Sequence, residues 1–296
     1  MKIAISGSHG FVGSAVVESL RRAGHEVIPI IRGKSAVGNG IAWSVETGYV
    51  DATKLDGIDA VVHLAGESIQ GRWTARKKAL IQESRVKGTR ALSEALAALQ
   101  TPPRVFVCAS AIGIYGDRGE EVLREESRPG GGFLAGVVRE WEKATEPAAE
   151  KGIRVVNLRF GVVLGTSGGA LKAMLLPFRM GAGGRVGSGR QYMSWVALDD
   201  VVGAVEHALT TEALRGPVNV VAPNPARNQE FTKALGRALS RPTIFPLPAF
   251  VVRLAMGEMG EELLLGSQRV EPAKLAASGY RFRYPDLDGA LRRALG

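Results

Sequence analysis

Apolar residues run along this chain in short continuous blocks, separated by segments whose apolar positions recur at helical spacing. Residues 2–6 (KIAIS) form the first block, a glycine turn follows, and GFVGSAVVESLRRAGH carries the helical spacing until it ends at Gly24. EVIPIIR repeats the strand signal, and after a variable stretch DAVVHLAG gives another unbroken apolar run. RVKGTRALSEALAAL then reads as helix, PPRVFVCAS as strand, REWEKATEPAAEKG as helix, and IRVVNLRFGVVLG as a strand with its following loop. Strands that are apolar along their whole length must be covered on both faces. The alternation therefore predicts an α/β fold, a Rossmann-type doubly wound parallel sheet.

The charged stretch 117–132 (DRGEEVLREESRPGGG) has no clear period and reads as a surface loop over the functional edge of the sheet, where loops often act as lids. From about residue 166 the pattern loosens into a glycine-rich segment, the helix DDVVGAVEHAL and a proline-punctuated tail. These shifts predict a dinucleotide-binding domain over 1–165, with sheet elements open to contribution from 190–222, and a smaller substrate region built mainly from 166–296.

Composition narrows the class. With 45% hydrophobic and 23% charged residues the chain is ordinary globular protein. It opens directly into strand and glycine turn without a signal-peptide pattern, and no run approaches the ~18 apolar residues of a membrane span, so a cytoplasmic protein with no membrane partner is expected. The single cysteine, Cys108, sits in an apolar run and reads as an inert core thiol. Net charge is +9, and residues 149–296 hold 19 Lys and Arg against 12 Asp and Glu. These cations are dispersed along the sequence, which argues against nucleic acid and fits a solvated basic face or an anionic small-molecule ligand. The histidines at 9, 25, 63 and 207 lack metal-ligand spacing, so no metal is expected.

The chemistry concentrates in Gly7, Ser8, His9, Gly10, Phe11, Val12 and Gly13, placed where a phosphate-binding turn must lie, between the first strand and the first helix. Gly7 permits the tight turn, Gly10 lets backbone approach a pyrophosphate, and Gly13 lets helix and strand pack closely. An NAD-specific site would place an acidic residue at the end of the second strand to bond the ribose 2′-hydroxyl. Here that strand ends Ile30-Ile31-Arg32-Gly33-Lys34, so the 2′-phosphate of NADP(H) is favoured, with Arg32 as its partner and Lys34 more exposed to water. Leu64, Ala65 and Gly66, at the carboxyl end of the DAVVHLAG strand, are expected to pass their backbone beside the cofactor ribose.

On GSHGFVG, DAVVHLAGE, RVKGTRAL, SAIGIYGDRG, LRFGVVLG and SWVALDDV, the chain resembles the extended short-chain dehydrogenase/reductase superfamily, which includes nucleotide-sugar epimerases and dehydratases. The match covers nearly the whole chain. GRW, ESRVKGT, REWE, GSGRQYMSW, APNPARNQEF and LLLGSQRVEPAKL are similar to an atypical NAD(P)-dependent branch called "epimerase family protein", loosely labelled cell-division inhibitor in bacteria. The resemblance implies a tyrosine proton carrier, a lysine four residues later that lowers its pKa, and a serine that orients the substrate oxygen. This sequence has Phe133 or Leu134 at the tyrosine, Val137 or Val138 at the lysine, and Ala111 at the serine position. Arg85 replaces a usual asparagine, which implies a reach to the cofactor phosphates or an acidic substrate, and Val162 and Val163 are placed to flank the nicotinamide.

Three functions follow from this. The first is an NADPH-dependent oxidoreductase on a small carbonyl compound, with Tyr115, Ser110, Glu67 or water as proton source and Arg72, Trp73, Arg190 and Trp195 as substrate contacts. The second is a non-catalytic NADP(H)-binding sensor or regulator. A nucleotide-sugar epimerase or dehydratase comes third, because it needs the missing tyrosine and lysine.

Overall fold

In the computed structural model, which describes residues 1–33 and 38–296, seven strands share one sheet. They are β1 (Lys2–Ser6), β2 (Glu26–Arg32), β3 (Ile41–Trp43), β4 (Ala60–His63), β5 (Val105–Ala111), β6 (Arg154–Phe160) and β7 (Gly216–Val220). Their order is β7-β6-β5-β4-β1-β2-β3, and every pairing is parallel. Because β1 lies between β2 and β4, the chain reverses its direction of travel across the sheet there. That reversal opens a crevice at the carboxyl ends of the strands, the usual ligand position in such sheets.

The unbroken apolar strands bury both faces, as their pattern requires. Ile3 and Ile5 of β1 join a cluster with Val16 and Leu20 of α1 (Phe11–Arg22) and with Val201 and Val205 of the helix Leu198–Thr210. Ala4, one residue out of phase, faces Leu92 and Leu96 of α2 (Ala75–Ala98) and Trp141 of α3 (Phe133–Lys143). The region beyond residue 166 has its own core around Trp195, Phe231, Phe178 and Leu291. Its tail is held by buried Asp200, whose carboxylate accepts from Tyr280 Oη, Arg283 N and Tyr284 N at 3.1, 2.7 and 3.0 Å.

Two readings of the sequence need correction. The stretch IRVVNLRFGVVLG is not one strand with a loop: it breaks at Gly161, where a Cβ would stand 2.5 Å from Ser194 O, and Val162–Leu164 leaves the sheet to pair with Trp195–Ala197. Nor is 117–132 a lid. Val122–Leu123 pairs with Arg269–Val270, Arg118 N donates to Ser267 O at 2.9 Å, and buried Glu125 Oε1 accepts from Asn219 N and Lys274 N at 3.0 and 3.1 Å. The segment is stitched to the C-terminal region, so the charges that suggested a solvated loop serve partly as internal acceptors.

Candidate active site

The turn between β1 and α1 is shaped by its glycines. Gly7 adopts φ +70°, and a Cβ on it would stand 2.8 Å from Leu64 C and Ala65 N, because the ends of β1 and β4 abut. A Cβ on Gly13 would lie 2.0 Å from Gly7 O. Gly10 caps α1 with backbone only: no side chain accepts from the first turn, and the first turn contains no acidic residue. Two helices that follow neighbouring strands, α2 and α3, are capped by the protein itself. Thr74 Oγ1 accepts from Lys77 N at the start of α2, and the Glu262 carboxylate takes Phe133 N and Leu134 N at 2.6 and 3.0 Å at the start of α3. The first N–H groups of α1 are thus left for an anion from outside the chain.

Around this turn, Ser8 Oγ and His9 Nδ1 lie 3.1 Å apart at the surface. The Phe11 ring fills a trough floored by glycine: a Cβ at Gly165 or Gly168 would come within 2.7 Å of it. Val12 is half-buried against the core. Beneath the turn, Ser6 Oγ accepts from Ala65 N at 3.3 Å and lies 2.6 Å from His63 Nδ1. His63 is fully buried, with Trp43 edge-on at 5.5 Å, and burial pushes its pKa down to about 4. The unfolded imidazole binds a proton at its ordinary pKa of about 6.5, so as pH falls from there towards 4 the unfolded state gains protons that the folded state refuses. Stability is therefore expected to drop by roughly 2 kcal/mol between pH 7.5 and 5. Urea unfolding at both pH values checks this: the drop should shrink in His63→Phe, and equal slopes in the two proteins would sink the assignment.

Arg32 ends β2 with an exposed side chain, and Lys34 lies outside the described residues. Leu64, Ala65 and Gly66 leave β4 at the crevice, and Glu67 follows with its backbone pinned to α2: Glu67 N donates to Ser84 Oγ at 3.0 Å and Glu67 O accepts from Arg85 Nη1 at 2.9 Å. Arg85 also bonds Ile81 O at 3.2 Å and lies over the Trp141 ring at 5.2 Å, while a Cβ on Gly66 would rest 3.4 Å from its guanidinium. Burial lowers its pKa to about 10, partly offset by Glu67. In this arrangement its contacts are to backbone and ring, supporting the β4–α2 connection. Val162 and Val163 are half-buried on the strand that leaves the sheet.

Several of the polar and aromatic candidates are turned inward, contrary to the proton-source and substrate-contact roles that the sequence suggested. Tyr115 is 0% exposed; its hydroxyl donates to Asn219 Oδ1 at 2.8 Å and accepts from Arg159 Nη1 at 2.9 Å, and burial pushes the phenol pKa up. Ser110 donates to Glu142 Oε1 at 2.6 Å and is buried. Trp195 is enclosed on its strand, with Nε1 donating to Asn224 O at 3.1 Å. Trp73 is buried too, donating to Ile69 O at 2.8 Å and meeting the Phe133 ring edge-on at 5.2 Å. The polar atoms of these aromatics are hydrogen-bonded within the protein. Arg72 and Arg190 are exposed.

Glu67 is the one proton-carrier candidate with substantial exposure. Its carboxylate accepts from Lys77 Nζ at 2.7 Å, with side chains 34% and 21% exposed. That hydrogen bond, and the charges of Lys77, Arg32 and Arg85, hold the Glu67 carboxyl below its usual range. Glu67 is therefore held as the carboxylate, and nothing in the sequence setting of Lys77, its partner, marks that residue. At the tyrosine and lysine positions Leu134, Val137 and Val138 are buried, and Phe133 packs under Lys78 Nζ, 4.8 Å from its ring centre. Among the described residues no group of three or more His, Cys, Asp or Glu is placed to hold a metal, and no helix is long and apolar enough to cross a membrane. Cys108 is fully buried, and burial raises its pKa.

Residues 3–221 match the NAD dependent epimerase/dehydratase family, and residues 247–294 match a domain of unknown function, DUF1731. An epimerase family protein of Mycobacterium tuberculosis is 43% identical over 290 residues, covering 98% of this chain and 96% of that one. The crystal structure of human epimerase family protein SDR39U1 with NADPH superposes with a TM-score of 0.91 at 34% identity, covering 99% of both chains. A nucleoside-diphosphate sugar epimerase from Corynebacterium glutamicum gives a TM-score of 0.82 at 39% identity, spanning all of this chain but 58% of its own length.

Proposed function

Because this chain belongs to the NAD dependent epimerase/dehydratase family, we propose that it binds NADP(H) and acts as an oxidoreductase on a small carbonyl compound. The observation that carries the reading is the uncapped N-terminus of α1 behind a three-glycine turn, in a protein similar to one crystallised with NADPH. The first N–H groups of α1 are suited to the pyrophosphate, and Arg32 to a 2′-phosphate. Bound there, the nicotinamide would supply hydride chemistry. The chain must supply the proton, and Tyr115 and Ser110 are committed to partners in the core. Lys77 Nζ, paired with Glu67, and water remain to give a proton to a carbonyl oxygen, and Lys77 is the one that substitution can test. Phe133, Leu134, Val137 and Val138 offer nothing to titrate, so sugar-nucleotide epimerisation by the usual route is not supported.

Calorimetry should give a preference for NADPH over NADH of at least about tenfold, lost in Arg32→Ala. Equal affinities in the wild type would defeat the cofactor reading. NADPH oxidation across a panel of aldehydes and ketones should be detectable and should fall in Lys77→Met at unchanged NADPH affinity. Tight NADPH binding without oxidation of any member would instead favour a non-catalytic sensor, to which the missing tyrosine and lysine also lend weight.

A further inference from the structure

The segments 160–198 and 231–257 contain no aspartate or glutamate, although the chain holds 29 acidic residues. Of the eight lysines and arginines in them, only Arg237 and Arg253 form ion pairs among the described residues, with Asp288 and Glu261. Folding brings the two segments side by side. Arg241 Nε donates to Arg179 O at 2.9 Å, Leu247 N donates to Arg185 O at 2.8 Å, and Gly187 N returns a bond to Leu247 O at 2.8 Å.

Large apolar side chains stand out from the same two segments. Leu176 and Met180 are spaced one turn apart at the end of the helix Gly169–Arg179, and Phe250 and Leu254 are one turn apart on the helix Ala249–Met256. Ile244 and Phe245 sit within the second segment, on the strap between the helices Asn228–Leu239 and Ala249–Met256. All six are between 59% and 79% exposed, and they make up six of the ten large exposed apolar side chains among the described residues. Exposure that high means the side chains project outward; they do not line a groove.

We propose that this face docks on an anionic lipid surface, its apolar side chains entering the boundary between headgroups and acyl chains while Lys172, Arg179, Arg185, Lys233 and Arg241 meet headgroup phosphates. Charge complementarity selects the occupant. A second copy pairing about a two-fold axis would set cation against cation, with no acidic residue in either segment to answer. Projecting side chains also suit a fluid boundary better than a folded peptide, which needs a groove. Neither a spanning apolar run nor a run of cations marks this face in the sequence, because the fold gathers it from scattered residues. The face shares no residue with the turn at Gly7–Gly13, so it stands or falls independently of the cofactor reading.

Co-sedimentation with vesicles tests it. The full chain should pellet with vesicles of mixed phosphatidylglycerol and phosphatidylcholine, remain in solution with phosphatidylcholine alone, and release as salt rises. Phe250→Glu/Leu254→Glu and, separately, Lys172→Gln/Lys233→Gln should each weaken vesicle binding at least about tenfold, with thermal midpoint and NADPH affinity retained. Failure to pellet with the anionic vesicles, or binding indifferent to both double substitutions, overturns the proposal. So does a wild-type dimer that Phe250→Glu/Leu254→Glu converts to monomer, which would make the face a self-interface.

Discussion

Gly10→Val is expected to abolish cofactor binding in a protein that still folds. Gly10 has φ −78°, an angle any residue adopts, and a Cβ there would approach Gly7 O at 3.2 Å, a contact relieved by a shift of a few tenths of an ångström. The isopropyl group would instead occupy the space beside the open N-terminus of α1 that a pyrophosphate needs. Loss of NADPH affinity by at least about 100-fold, near 2.7 kcal/mol, is the expected scale. Gly13→Val separates the two roles of the motif, because its Cβ would lie 2.0 Å from Gly7 O and the turn itself cannot close. That variant should lose both thermal stability and binding. Circular dichroism melts with calorimetry on each variant check this, and NADPH affinity near wild type in a folded Gly10→Val protein would mean the anion site lies elsewhere.

The strand–turn–helix at the N-terminus was legible because its signal is local: an apolar run, glycines at fixed spacing, then helical periodicity. β3 was not, since three residues within a glycine-containing stretch carry no pattern of their own. The missing tyrosine and lysine could be read from one helix. The cap of that helix could not, because Glu262 reaches the start of α3 from 129 residues away in sequence. Tyr115 and Trp195 were misplaced for the same reason. An aromatic with a polar handle looks like a ligand contact until its partners, Asn219 and Asn224, are brought to it by strands and turns distant in the chain. Scattered arginines become a face only when two acid-free segments are laid together.

Arg159→Met is expected to destabilise the protein by about 3–5 kcal/mol, the scale found when one partner of a buried ion pair is removed. Arg159 Nε and Nη2 each donate at 2.8 Å to the two oxygens of Glu142, with side chains 6% and 15% exposed. Burial disfavours the guanidinium charge, but the hydrogen bonds and charge of Glu142 outweigh it and hold the Arg159 pKa above its ordinary value. The same guanidinium donates to Tyr115 Oη and to Glu125 O, and Tyr115 passes the chain on to Asn219, whose Nδ2 donates to Glu271 O at 3.0 Å. One side chain thus ties β6 and α3 to the 117–132 segment and the C-terminal region, and this network is what commits Ser110 and Tyr115 to structure. Methionine in its place would leave the Glu142 carboxylate with Ser110 as its remaining side-chain donor. Arg159→Met/Glu142→Leu removes the stranded charge and should recover a large part of the loss, since apolar replacement of a whole buried pair is often close to neutral. Urea unfolding of the two single variants and the double one decides between the accounts: a loss under 1 kcal/mol in Arg159→Met, or strictly additive losses in the double variant, would show that the pair is not coupled and that the network is not what holds these regions together.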